Sequence, residues 1–267
     1  VRWIVQNNLG TSGDAEEIAE ACKNLGIKYT LVHRIPFSTE LPNIPTDEST
    51  LFYGSTRFVN LAYESKKWTP CAYFDPIKFT ASHWLPAYGE MCLNNDSKFT
   101  TLAEFCFEPH NPERLFFVRP DKDLKEFQGG VWSFSDLQRW KTGLLKTDLG
   151  DKQLAHIPIL VGEPWGITRE WRLFMVEGKI IEASQYRKGH ILNVSSCVPH
   201  DVHQYAKTAA LTFSPHDVFV LDICESANNL YVLEIGCVNS AGFYTCNIHN
   251  IVKTITEYCD RRDKCQL

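Results

Sequence analysis

The sequence predicts an α+β protein in two parts, a small α/β domain followed by a larger domain of antiparallel sheets. Three observations carry that expectation. The first third alternates strand-like and helix-like stretches, as a small parallel sheet does. From Leu115 onward the apolar stretches are short, strand-like and mostly joined by turns. Few helices stand between them to act as parallel crossovers, which argues for antiparallel pairing.

The elements follow in order. "RWIVQ" reads as a strand, "DAEEIAEACKNLG" as an amphipathic helix capped by Asp14 and closed by Gly26, and "KYTLVHR" as a second strand. A polar, proline-bearing link occupies residues 37–50, after which "LFYGS" ends a strand, "RFVNLAYES" forms a helix and "CAYF" a strand. Residues 1–75 are therefore expected to form the small α/β domain, and residues 76–114, with Trp84 and Phe105 as core candidates, a connector. In residues 115–267 the strands are "LFFVRP", "GGVWSF", "PILVGEP", "REWRLFMV", "KIIEASQY", "VFVLDIC" and "YVLEIG", with helices at 135–145, 201–211 and 248–261.

A chain of 267 residues can bury a substantial core, and 44% hydrophobic with 22% charged residues is ordinary for a soluble globular protein. The net charge of −5 gives no support for a nucleic-acid-binding surface. "VRWIVQNNLG" lacks the features of a signal peptide, and no apolar run approaches the roughly 20 residues of a membrane span. The ten cysteines form no C-x-x-C pair, so reduced thiols and a cytoplasmic location are expected. "HDVH" (His200, His203) has no partners at zinc-finger spacing.

The stretch "FVLDICESANNLYVLEIGCVNSAGFY" poses the chemical question, because each of its two apolar strands carries one acid. A turn at Ala227-Asn228-Asn229 puts Asp222 opposite Glu234, with Cβ atoms roughly 5 Å apart. Two buried carboxylates so placed must share a proton, find basic partners or hold a cation. Asn239 adds a neutral oxygen nearby, and a carboxylate–carboxylate–amide set suits Mg²⁺.

Three further clusters accompany the acids. In "FVRPDKDLKEFQGGVW", Arg119 ends a strand, Lys122 and Lys125 lie in a charged loop, and Gly129-Gly130 open the next strand, a set that suits phosphates. In "TREWRLFMVEGKIIEASQYRKG", a Glu177-Gly178 turn pairs Val176 with Lys179, Phe174 with Ile181, Arg172 with Ala183, Glu170 with Gln185 and Thr168 with Arg187. One face then collects Glu170, Arg172, Gln185 and Arg187, and arginine forks match phosphate or carboxylate oxygens. In "ILVGEPWGI", a buried strand ends at Glu163, where main-chain groups and an acid meet. A solvated charged hairpin, a surface salt-bridge ladder and a plain strand end are the unremarkable alternatives for these three.

Taken in chain order, these pieces resemble the ATP-grasp superfamily, most of all its phage and bacterial proteins of uncharacterised substrate. The resemblance covers residues 115–244, and the segment before it suits that superfamily's small N-terminal α/β domain. It implies an ATP-grasp fold with ATP and Mg²⁺ as cofactors. Arg119, Lys122 and Lys125 would then contact phosphates beneath the Gly129-Gly130 loop, Glu163 would meet adenine and ribose, and Glu170 and Tyr186 would support the wall. Arg172 and Arg187 would face the γ-phosphate or the acceptor, and Asp222, Glu234 and Asn239 would hold the metal. The superfamily's usual Glu-x-Asn reads Glu234-Ile235-Gly236 here, which leaves the amide role to Asn239. The implied activity is ligation of a carboxylate to an amine or a peptide or protein nucleophile through an acyl-phosphate. A phosphotransferase on the same site, or an ATP-binding module without catalysis, are the alternatives.

Overall fold

The computed structural model describes residues 1–9, 13–35, 38–124, 126–146 and 151–266. The chain forms two compact units, one of Val1–Asp75 with Ile167–Leu267 and the other Pro76–Gly166.

The larger unit begins with β1 (Arg2–Gln6), α1 (Asp14–Leu25), β2 (Lys28–Val32), β3 (Thr50–Tyr53), α2 (Thr56–Ser65) and β4 (Pro70–Cys71). The four strands form a parallel sheet in the order β2-β1-β3-β4. Such a sheet must be covered on both faces. Trp3, Val5 and Leu51 lie in one core with Ile18 and Cys22 of α1, while Ile4 and Phe52 pack with Phe58 of α2 and Trp68. Gly26 closes α1 as expected, at φ +68 with its N–H on the Cys22 and Lys23 carbonyls. Asp14 does not cap the helix: Gly13 holds that position at φ +75, and Asp14 is the first helical residue. Its charge still favours the helix N-terminus.

The smaller unit carries α3 (Ala81–Tyr88), β5 (Lys98–Thr101), α4 (Leu102–Phe105), β6 (Leu115–Pro120), β7 (Gly130–Ser133), α5 (Phe134–Lys146) and β8 (Pro158–Gly162). Its antiparallel sheet has the order β5-β8-β6-β7. Residues 76–114 are thus more than a connector. Lys98–Thr101 pairs with β8, and Leu102 and Phe105 join Phe116, Val118, Phe134, Ile159 and Val161 in one core.

The chain returns to the larger unit with β9 (Ile167–Val176), β10 (Lys179–Lys188), β11 (Ile191–Ser195), α6 (His200–Thr212), β12 (Val218–Ser226), β13 (Asn229–Gly236) and α7 (Ile248–Gln266). These strands form an antiparallel sheet in the order β11-β10-β9-β12-β13, and β11 is a strand the sequence reading did not anticipate. Phe174, Val176, Val218 and Val220 share a core with Ile251, Val252 and Ile255 of α7 and with the α1 side of the first sheet. A buried hydrogen bond from the Trp3 indole to the Thr256 hydroxyl (2.9 Å) fastens α7 to β1. The units therefore cut the chain differently from the expected 1–75, 76–114 and 115–267, because α7 completes the core that the first 75 residues begin. The α+β class and the antiparallel sheets stand as expected. Among the described residues, no helix is long and apolar enough to cross a membrane.

Candidate active site

Asp222 sits on β12, between β9 and β13 in the sheet, and faces Arg172 of β9 on one side and Glu234 of β13 on the other. The expected Asp222–Glu234 pairing is present, but it arises differently. The turn is two residues, not three: Ala227 (φ +49) and Asn228 (φ +62) lie between paired Ser226 and Asn229. Both turn residues are left-handed, as tight hairpins of this twist require. A bulge that leaves Leu233 as the extra residue of β13 then restores the offset, so Ile223 faces Val232 while Asp222 faces Glu234.

Asp222 has found a basic partner. Arg172 donates from Nε to Oδ1 (2.9 Å) and from Nη2 to Oδ2 (2.8 Å), a bidentate pair with side chains 17% and 4% exposed. Arg172 also donates to the Gly242 carbonyl (3.3 Å), and its guanidinium lies over the rings of Tyr244 (5.2 Å) and Tyr186 (5.5 Å), which stack at 4.9 Å. Burial works against the Arg172 charge, and Asp222 outweighs it, holding the guanidinium above its ordinary value. Burial pushes the Asp222 carboxyl up against the pull of Arg172, and Glu234 adds to the rise. The Tyr186 hydroxyl is raised by burial, and Asp222 and Glu170 add to it; it therefore stays protonated and donates to Glu170 Oε2.

The β9–β10 register departs from the simple count. Glu177 and Gly178 form the expected two-residue turn and Val176 faces Lys179. Bulges between Ile180 and Glu182 and between Gln185 and Arg187 then shift the rest. Phe174 faces Glu182, Arg172 faces Ser184, and Arg187 faces Glu170. Gln185 leaves the cluster, since its amide donates to Asn193 Oδ1 of β11 (2.7 Å). The second bulge has a direct chemical effect. Successive strand residues normally point to opposite faces, yet here both Tyr186 and Arg187 reach Glu170, Arg187 through Nη1 (3.2 Å). The site face of the sheet is therefore Glu170, Arg172, Tyr186, Arg187 and Asp222.

Asn239 stands elsewhere. Its amide nitrogen donates to the Phe52 carbonyl (2.6 Å) and its oxygen accepts from the Tyr73 N–H (3.0 Å), so the buried side chain ties the turn after β13 to the first sheet. The residues that would hold a hard cation are then Asp222 and Glu234, since a carboxylate holding a bidentate arginine keeps further lone pairs. Two carboxylates would suit Mg²⁺, a hard ion that takes oxygen ligands; Asn239 would reach it only by stranding the Tyr73 N–H. Among the described residues, no group of three or more His, Cys, Asp and Glu side chains is placed to hold a metal ion.

In the smaller unit, Arg119 is half-buried near the end of β6 and donates from Nε to the Pro120 carbonyl (3.3 Å). Lys122 is exposed, and Lys125 lies outside the described residues. Gly129 is required by space, because a Cβ there would stand 2.9 Å from the Arg119 Cβ, and Gly130 begins β7 opposite Val118. Glu163, just past β8, is exposed and accepts from Arg114 Nη2 (2.5 Å).

Sequence reasoning missed Tyr244, Gly242 and Arg114. Tyr244 sits at φ +56 beyond the last strand, where no periodicity pointed to it. Arg114 lies at the end of the stretch read as a connector.

The comparisons decide the family. The model of the ATP-grasp domain, R2K clade family 3, matches residues 36–255. The chain belongs to this ATP-grasp family. Its fold agrees. An ATP-grasp RimK domain protein from Sphaerobacter thermophilus superposes with a TM-score of 0.63 at 10% identity, over 94% of this chain and 98% of its own. Phosphoribosylamine–glycine ligase from Thermotoga maritima gives 0.56 at 13% identity, over 88% and 68%. The ATP-grasp ligase PsnB, complexed with a minimal precursor, gives 0.52 at 15% identity, over 90% and 91%. At these identities the likeness is one of fold. No curated protein matches the sequence.

Proposed function

We propose that this ATP-grasp chain is an ATP- and Mg²⁺-dependent ligase that joins a carboxylate to an amine or similar nucleophile through an acyl-phosphate. The observation that carries the reading is the sheet-borne cluster in which Arg172 and Asp222 form a buried bidentate pair beside Tyr186, Glu170 and the half-exposed Arg187, with Glu234 opposite Asp222. Family membership supports the nucleotide. ATP supplies the phosphoryl group that activates the acceptor, and Mg²⁺ offsets the phosphate charge.

The protein's own contribution is placement of charge. Asp222 and Glu234 would hold the cation. Arg187, anchored by Glu170 yet 48% exposed in its side chain, would hold the acceptor carboxylate or γ-phosphate. Arg172, locked by Asp222, the Gly242 carbonyl and two tyrosine rings, would keep a fixed positive field with no reorganisation during the step. Arg119, Lys122 and Lys125 are assigned to phosphates and Glu163 to the nucleoside. The nucleophile's amine would attack the acyl carbon and expel phosphate. A peptide nucleophile is favoured by the PsnB neighbour, whose structure holds a precursor.

Calorimetric titration of ATP with and without Mg²⁺, on the wild type and on Asp222→Asn with Glu234→Gln, tests the reading. Mg²⁺-dependent binding that disappears in the double variant is expected, and binding indifferent to Mg²⁺ overturns it. The commitment of Asn239 to the first sheet favours one second reading, a nucleotide-binding module without turnover. ADP release above background on addition of acceptors excludes that second reading.

A further inference from the structure

β11 is the edge strand of the five-stranded sheet: it pairs with β10, and among the described residues no strand pairs with its other side. Soluble proteins blunt such edges with charge, proline or a bulge. "ILNVS" has no charged residue and no proline, its pairing with β10 shifts register once, between Gln185 and Arg187, and its apolar side chains are open: Ile191, Leu192 at 67% and Val194 at 47% exposure. Left unpartnered, such an edge is a template for another strand.

The register ties this edge to the catalytic cluster. Leu192 faces Arg187 across the β10–β11 pair, so both side chains project from the same face of the sheet. Asn193 projects from the other face, where it meets Gln185. Val194, two residues from Leu192, shares the Leu192 face. That face therefore reads, outward from the site, Glu170 and Arg187, then Leu192 and Val194, then an open edge. The charge beside the apolar pair is basic: Arg187 faces Leu192 and is exposed, and Glu170, the acid it meets, is already taken by Tyr186 and Arg187.

We infer that β11 receives the acceptor as an extended peptide segment, which adds as a sixth strand and sets an acidic side chain toward Arg187. The inference rests on the ligase reading and names its substrate class. An added strand lies about two strand spacings, roughly 10 Å, from β10, a gap that an extended arginine and a glutamate bridge together. Main-chain hydrogen bonds would supply affinity, and Leu192 and Val194 would select apolar residues two positions from the acid. Cationic Arg187 would select a carboxylate there over an ammonium.

The test uses the acetylated, amidated heptapeptide Thr-Val-Thr-Glu-Thr-Val-Thr and its twin with Lys for Glu, titrated calorimetrically without nucleotide. ATP with Mg²⁺ is titrated separately. The Glu peptide is expected to bind at least tenfold more tightly than the twin, and Leu192→Ser with Val194→Ser, which remove the apolar contacts without adding charge, to weaken it at least tenfold. ATP affinity and the melting temperature should stay unchanged in that double variant, since both positions are exposed. Equal binding of both peptides, no binding of either, or binding indifferent to the double variant overturns the inference. So does sedimentation of the wild type as a dimer that the double variant dissociates, which would give the edge to a second copy of this chain. Peptide binding at this edge in a protein that ignores ATP would keep the docking strand and sink the ligase reading, so the two failures are distinct.

Discussion

Replacing Arg172 by methionine isolates the physics of the buried pair. The substitution removes the donors at 2.9 and 2.8 Å from a carboxylate whose side chain is 4% exposed, and leaves Asp222 only the Tyr186 hydroxyl at 3.5 Å. Breaking a buried ion pair on one side costs about 3–5 kcal/mol, because the stranded charge keeps its desolvation penalty. With a urea slope of about 3 kcal/mol/M, that is a midpoint lower by about 1–1.7 M. Arg172→Met combined with Asp222→Leu removes the stranded charge as well and should recover most of the loss, since apolar replacement of a whole buried pair is often neutral. The sign of the pH dependence is fixed too. Burial raises the Asp222 carboxyl, and without Arg172 only the weak Tyr186 hydrogen bond opposes the rise, so the folded single variant binds a proton that the unfolded chain releases. Its deficit should shrink from about pH 7 toward about pH 5 and grow again as pH rises. Urea unfolding followed by circular dichroism reads all three proteins. A double variant as unstable as Arg172→Met, or a deficit that widens on acidification, refutes the stranded-charge reasoning. A stable double variant without ATP turnover would mean that the pair is kept for chemistry.

Arg187→Ala should abolish turnover while leaving ATP binding measurable by calorimetry, because its side chain is half-exposed and its loss strands only an acid that Tyr186 still serves; normal turnover would remove Arg187 from the site. Asn239→Ala should lower stability by about 1–3 kcal/mol for each backbone group it strands, at Phe52 and Tyr73, yet leave the Mg²⁺ dependence of ATP binding intact. The opposite pattern in thermal melts and titrations would make the amide a metal ligand. Stability should fall as pH rises from about 9 toward 12, since burial pushes the Cys22, Cys71, Cys92 and Cys246 thiols up to about 12 and the unfolded chain ionises them first. Melting temperatures at pH 8 and 10.5 read the effect, which should diminish in Cys22→Ala.

The sequence was most legible where one local rule decided the outcome. Alternation and tight turns located both hairpins, and the structure places both in one sheet, with Arg172, Arg187, Asp222 and Glu234. It was least legible where one extra residue mattered. Simple counting cannot see a bulge, so Gln185 was placed on the wrong face and the Asp222–Glu234 pairing was reached through a turn one residue too long. Asn239 read as a ligand because spacing alone does not say that Phe52 and Tyr73 claim its amide. The domain boundaries failed for a related reason. Helical periodicity identifies α7 as amphipathic, yet nothing in it says that its apolar stripe belongs to a sheet at the other end of the chain.

That last feature also constrains the order of assembly. The Trp3–Thr256 hydrogen bond joins residues 253 apart, whereas the smaller unit is one continuous stretch, Pro76–Gly166. Closure entropy rises by about 0.6 kcal/mol for each doubling of a loop, so the long connection alone is a modest thermodynamic burden. Its effect on timing is larger, because non-local contacts are formed late and slow the search. During synthesis the inserted unit has all its strands roughly a hundred residues before α7 emerges to cover the first sheet. Until then Val5, Leu51 and Ile18 meet one another but lack the apolar surface that α7 brings in the finished protein.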